Sequence, residues 1–181
     1  MRKPLIMSLA AALVAAFTFV SARAADDTAA PATAIPAVGQ VAPTFVLPAQ
    51  DGKPIALSQY KGKWVVLYFY PKDMTQGCTI EAHKFQDSLS QFEAKHAVIL
   101  GVSVDSTDSH KQFCAKDGLT FHLLSDPGHK VVELYGSLGK FGDMVIANRN
   151  TFLIDPKGVI KQEWVKVNPA DAASEVLAAI P

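Results

Sequence analysis

A chain of 181 residues, 49% of them hydrophobic, is long enough for one domain with a sizeable core. Seventeen basic residues balance seventeen acidic ones, and no basic stripe interleaved with aromatics is present, which argues against nucleic-acid binding. The five histidines show no metal-site spacing beyond His110 and Cys114 at i and i+4, and two ligands do not make a metal site.

In chain order, Arg2 and Lys3 form a basic start, residues 5–20 an apolar stretch, and Ala22-Arg23-Ala24 a small-x-small cleavage site. This is the layout of a secretory signal peptide over residues 1–24, with a mature chain beginning near Ala25. The apolar stretch is short for a membrane-spanning helix and is interrupted by Ser8 and Thr18. Without the signal, fourteen basic residues face seventeen acidic ones, a net charge of −3. Thirteen of those fourteen are lysines, and the single arginine is Arg149. One arginine in a lysine-using chain points to a position that needs a planar, two-pronged donor, with a chance surface residue as the alternative.

Residues 25–38 are rich in Ala, Pro and Thr and read as a flexible tether, so the globular domain is expected over residues 39–181. A small hairpin is expected where residues 44–47 and 54–57 flank Gln50-Asp51-Gly52-Lys53. Residues 64–70 and 97–104 are nearly continuous apolar runs, as in strands buried on both faces. Between them, Phe85, Leu89 and Phe92 at i, i+4, i+7 predict one helix over residues 78–95. A helix capped by Ser106, Thr107 or Asp108 and ended at Gly118 follows, with Cys114 in its C-terminal half. A strand at 119–124, a short helix at 129–135 and a hairpin of 151–154 with 159–167 come next. A last helix is expected with Asn168 as N-cap and Pro169 at its first position. The succession implies an α/β fold, a sheet sandwiched by helices.

The most informative residue is Cys78, placed where a strand end turns into a helix. A thiol on the first helical turn faces unpaired N–H groups and the positive end of the helix dipole, and both favour thiolate. The thiolate is the nucleophilic form, so Cys78 is a candidate reactive centre. Thr75, three residues earlier, has a hydroxyl in reach of an atom approaching the sulfur. Pro71 ends the strand and covers the thiol without adding a competing N–H, and Gly77 lets backbone approach closely. Two cysteines in an exported chain also admit a structural disulfide, and Cys114 also admits a passive role.

Pro71-x-x-x-Thr75-x-x-Cys78 resembles the active-site motif of peroxiredoxins, and the wider run YFYPKD-x-T-x-GCT-x-EA-x-x-F is similar to the bacterioferritin-comigratory, or PrxQ, subfamily. The resemblance extends to GVSVDS, Ser109-His110, LLSD and the stretch from Arg149 to Asp155, so it covers essentially the whole mature domain. It implies a thioredoxin-like fold, with a central mixed sheet flanked by helices and an N-terminal β-hairpin, and thiol-dependent reduction of hydrogen peroxide and organic hydroperoxides.

By that resemblance Cys78 is the peroxidatic nucleophile, Arg149 holds the thiolate and donates to the peroxide, and Thr75 orients the oxygens. The product is a sulfenic acid that a second thiol condenses with to a disulfide. Two positions depart from the common pattern: Gln76 stands where the family often has Pro, and His83 stands where many members carry a resolving cysteine. A subset with its resolving cysteine on the following helix matches better, and it implies a Cys78–Cys114 disulfide. Bridging two helices requires local unwinding, because a disulfide limits the Cα separation to about 7 Å. The resemblance further implies a thioredoxin-like protein reductant, a monomer and no cofactor. The signal peptide implies a periplasmic or secreted location. The alternatives are a one-cysteine peroxidase with Cys114 passive, and a thiol–disulfide exchange protein, which should show Cys-x-x-Cys but has Glu81 at the second position.

Overall fold

The computed structural model describes residues 34–181; the signal peptide expected over residues 1–24 and most of the tether expected over 25–38 lie outside the described residues. The central sheet has five strands. In chain order they are β3 (Trp64–Phe69), β4 (Ala97–Ser103), β5 (His122–Ser125), β8 (Asn150–Ile154) and β9 (Ile160–Val165), and their spatial order is β5-β4-β3-β8-β9. β4 runs parallel to β3 and β5, whereas β8 is antiparallel to β3 and β9. The sheet is therefore mixed. β1 (Val46–Pro48) and β2 (Pro54–Ala56) make the expected N-terminal hairpin.

Why the central strands read as continuous apolar runs is visible in their two faces. Val65, Leu67 and Phe69 of β3 point into one core with Val102, Leu124, Phe152 and Tyr135. Val66, Tyr68 and the following Tyr70 point into the other, with Phe85, Phe92, Phe113 and Val176. A strand alternates its side chains between faces, so burial on both removes any polar alternation. Truncating a fully buried ring such as Phe85 to Ala would cost about 3–5 kcal/mol.

That second core carries the helices that build the site: α1 (Gln76–Asp87), α2 (Leu89–Ala94), α3 (Thr107–Asp117) and α5 (Ala172–Ala179). The shorter α4 (Lys130–Leu134) contributes Val131 and Val132 to the first. Gly101 is placed by this packing. A Cβ there would lie 2.7 Å from the Tyr68 ring and from Leu123, so glycine lets Tyr68 lie against β4.

Several boundaries differ from the sequence expectation. The single helix over 78–95 is two, because Ser88 (φ −96°, ψ 1°) ends α1 and starts α2; Phe85 and Phe92 stay on one buried stripe across the break. The strand expected at 119–124 begins at His122. The last helix starts at Ala172 with Asp171 as N-cap, because Asn168 instead forms a turn, its side chain bonded to Asp171 Oδ2 and the Ala170 amide. A hairpin of β6 (Leu138–Phe141) and β7 (Met144–Ala147) went unforeseen. The packed domain also begins before residue 39: Pro36 is buried, and Ile35 lies against the first core.

Candidate active site

Cys78 is the third residue of α1 and is 1% exposed. The first intrahelical bond of this helix runs from the Thr79 amide to the Thr75 carbonyl, 2.9 Å, so the amides of Gln76, Gly77 and Cys78 precede it. Two of the other helices, α3 and α4, occupy first-turn amides with side chains, whereas α2 and α5 have no side-chain cap. Ser106 Oγ accepts from Ser109 N (3.2 Å) in α3, and Asp126 Oδ2 accepts from Val131 and Val132 (both 2.8 Å) in α4. Thr75 caps α1 with no such bond; its hydroxyl donates back to the Lys72 carbonyl at 3.0 Å. The positive end of α1 is thus left open toward the sulfur.

Arg149 precedes β8 and is brought to Cys78 by the β3–β8 pairing. One prong of its guanidinium, Nη2, donates to Cys78 Sγ at 3.4 Å, and the other, Nη1, is ion-paired with Glu81 Oε2. A planar fork meets two acceptors on one helix face, a geometry that lysine cannot supply. Gly77 leaves room for the approach, since a Cβ there would sit in tight contact, 3.3 Å from Nη2. Burial opposes the Arg149 charge, but Glu81 and Cys78 more than offset it and hold the guanidinium above its usual range.

Glu81 has no role assigned from the sequence, where it belongs to the PrxQ-like run and marks the absence of a second cysteine. It lies one turn after Cys78 on the same face, fully buried. Burial pushes its carboxyl up to about 7, although Arg149 pulls the other way. Its second oxygen has no partner. The signal that could have found it is the i, i+3 spacing from Cys78, which puts both side chains on one helix face.

Cys114 sits in a different setting. It lies on α3, half-buried and packed against the core that holds Cys78, and both cysteines are free thiols. Burial, then the negative charge of Asp73, push its thiol up to about 11. The Tyr68 hydroxyl lies in the same core, buried and without a partner among the described residues; burial, and the charges of Glu81, Cys78 and Cys114, hold it well above the usual phenol range. Thr75 and Pro71 line a pocket of about 280 Å³ with Lys72, Phe141, Met144 and Ile146. Of the five sequence candidates, the structure thus joins Cys78 and Arg149 directly, places Thr75 and Pro71 on the adjoining pocket, and leaves Cys114 apart on α3.

The chain is similar to known proteins over most of the described domain. Residues 38–163 match the model of the AhpC/TSA family. Peroxiredoxin Bcp of Bacillus subtilis is 47% identical over 144 residues, covering 77% of this chain and 92% of its own. Among solved structures, a mutant of Xylella fastidiosa PrxQ superposes with a TM-score of 0.75 at 36% identity, covering 79% of this chain and 94% of that one. The Xanthomonas campestris bacterioferritin comigratory protein, solved in trapped-intermediate and ligand complexes bearing on its alkyl peroxide reduction, gives 0.71 at 38% identity, covering 75% and 89%. The chain belongs to the AhpC/TSA family, among the peroxiredoxins of the Bcp and PrxQ type, with the thioredoxin-like fold of that group. It is a thiol peroxidase.

Proposed function

We propose that Cys78 is the peroxidatic residue and Cys114 the resolving one. The observation that carries the first assignment is the Arg149 fork, which touches Cys78 Sγ at an α1 terminus whose amides no side chain occupies. The Cys78 thiolate attacks one peroxide oxygen, the O–O bond breaks, and the departing oxygen leaves as water or alcohol after taking a proton. Arg149 and the α1 amides are fixed donors for that developing charge and need little reorganisation. The sulfenic acid on Cys78 then condenses with the Cys114 thiol, releasing water, and a dithiol reductant of thioredoxin type opens the disulfide.

The pocket beside Thr75 supports organic hydroperoxides as well as hydrogen peroxide. Phe141, Met144 and Ile146 give it an apolar wall that an alkyl chain can cover while its peroxide reaches Thr75. The alkyl peroxide reduction named for the Xanthomonas campestris relative accords with this. Peroxide consumption with dithiothreitol tests the assignment: Cys78→Ser should abolish it, and retained turnover would overturn it.

The second thiol has a competing reading as passive, favoured by its position half-buried on a folded helix and by a thiol held neutral at pH 7. The resolving assignment requires α3 to open first. Mass spectrometry of protein treated with one equivalent of peroxide decides between them, because a passive Cys114 leaves a sulfenic acid and no intramolecular disulfide. Export to the periplasm is supported by the basic start, the apolar stretch and Ala22-Arg23-Ala24. Intact mass of periplasmic material should start near Ala25, and full-length chain confined to membranes would overturn it.

A further inference from the structure

The loop between β3 and α1, residues 71–75, is tied to α3 by a buried polar cluster that the chemistry above does not use. Asp73 is its hub. Its carboxylate accepts from the Tyr70 hydroxyl (2.6 Å), the Ser109 hydroxyl (2.7 Å) and His110 Nδ1 (2.8 Å). Its own amide donates to Asp105 Oδ2 (2.9 Å), which Ser103 Oγ also reaches at 2.7 Å. Asp73 and His110 are essentially without solvent contact. Among the described residues His110 Nε2 is buried with no partner, so the ring is held by its Nδ1 side.

Two more facts give the cluster a direction. Met74, next to Asp73, sits at φ +58°, a conformation that costs energy in a residue other than glycine and persists only where its surroundings impose it. His110 and Ser109 open the same helix on which Cys114 lies one turn further on. The cluster therefore clamps together the two segments that have to separate from their helical seats before the sulfurs can meet.

We infer that Asp73 is a positioning residue that latches the Cys78 loop to the first turn of α3, and that release of this latch sets how fast Cys114 resolves the Cys78 sulfenic acid. This rests on the assignment of Cys114 as the resolving thiol. With the latch closed, Cys78 stays seated against Arg149 and the sulfenic acid remains exposed to a second peroxide. With it open, the strained loop relaxes, α3 frays from its start, and condensation with loss of water follows. An apolar core in place of the cluster would hold the two segments without such a point of release, whereas buried polar groups that lose one partner lose their reason to stay buried.

The test separates the two steps. In single-turnover rapid-quench experiments with hydrogen peroxide, Asp73→Asn should speed disulfide formation at least fivefold. Over-oxidised Cys78 per turnover should fall in proportion, and the first step should slow by a smaller factor. Ser109→Ala, which removes one bond of the cluster and leaves the core intact, should move the same ratio in the same direction by less. Amide hydrogen exchange of the dithiol form gives a readout that needs no chemistry. In both variants residues 71–78 and 107–114 should exchange faster together, while β3 and β4 keep their protection. A variant with unchanged disulfide rate and unchanged exchange overturns the latch. A wild-type protein that forms no Cys78–Cys114 disulfide overturns instead the resolving assignment. In that case the joint exchange of the two segments still decides whether they are latched.

Discussion

The two cysteines occupy helices on the same face of one sheet, yet their surroundings are opposed. Cys78 stands at a helix start, with amides not used by any cap and a guanidinium 3.4 Å from its sulfur. Cys114 stands in the second half of a helix whose start is capped by Ser106, and the charged group that acts on its thiol is the Asp73 carboxylate. Hydrogen-bond donors and a cation surround the first sulfur, whereas burial and an anion act on the second. The proposed mechanism uses that asymmetry, since in it Cys78 attacks first and Cys114 acts only once a sulfenic acid exists.

Breaking the first environment should have the largest effect. Cys78→Ser is expected to abolish turnover. Arg149→Lys keeps the charge but loses the fork, and loss of one oriented transition-state donor typically costs about a hundredfold in rate. Stopped-flow measurement of the second-order rate constant checks it, and wild-type rates across the pH range would demote Arg149 from the site. The second environment should respond differently. Cys114→Ser is expected to reduce one equivalent of peroxide at near wild-type rate, then to accumulate sulfenic acid and over-oxidise under excess peroxide. In a Cys78→Ser background, Cys114 should alkylate slowly at pH 7 and faster toward about 11, as its buried thiol ionises.

How much of this was legible beforehand follows from which physical signals sequence carries. Continuous apolar runs disclosed β3 and β4 because burial on both faces leaves no alternation. Ser106 and Gly118 framed α3 correctly because caps are local chemistry; the Gly118 cap is left-handed at φ 66°. The break at Ser88 stayed hidden, since the apolar stripe runs through it and periodicity reports the face, not the hydrogen bonds. The β6–β7 hairpin was missed because its four-residue strands are half exposed, with Phe141 at 70%, and so lack a clear inward pattern.

Within the site, Cys78, Thr75 and Arg149 were readable from residue type and order. Glu81, Asp73 and His110 were not assigned roles. Charged residues register in a pattern as surface, and only the folded chain shows these three to be buried and paired.

Glu81 sharpens the comparison through pH. Its carboxyl rises from an ordinary 4.5 to about 7 on folding, chiefly through burial, with the Arg149 attraction opposing. A carboxyl held higher in the folded state binds its proton more tightly there. Its contribution to stability is therefore present below about pH 4.5 and is lost as pH rises through about 7. Glu81→Gln mimics the neutral form and should flatten stability between those limits in denaturant titrations at stepped pH. It should also remove any inflection near pH 7 in the peroxide rate, because Arg149 then no longer changes partner charge as Glu81 ionises. A pH profile identical to that of the wild type would place the Glu81 titration elsewhere.

The smallest expected effect concerns two buried tyrosines that differ only in what their hydroxyls find. Tyr135 donates to the Pro43 carbonyl at 2.7 Å, so Tyr135→Phe strands an acceptor and should cost about 1 kcal/mol. Tyr68 finds no partner among the described residues, and its hydroxyl is already desolvated in the folded state. Removing that oxygen ends a buried, unsatisfied polar group, so Tyr68→Phe should leave stability unchanged or raise it by about 1 kcal/mol. Urea denaturation of the dithiol forms measures both. If Tyr68→Phe destabilises as much as Tyr135→Phe, the Tyr68 hydroxyl has a partner in solution; Glu81 and the two thiols are groups whose charge acts on it. In that event the same substitution should also alter the rate of the first or second chemical step, which tells which step it serves.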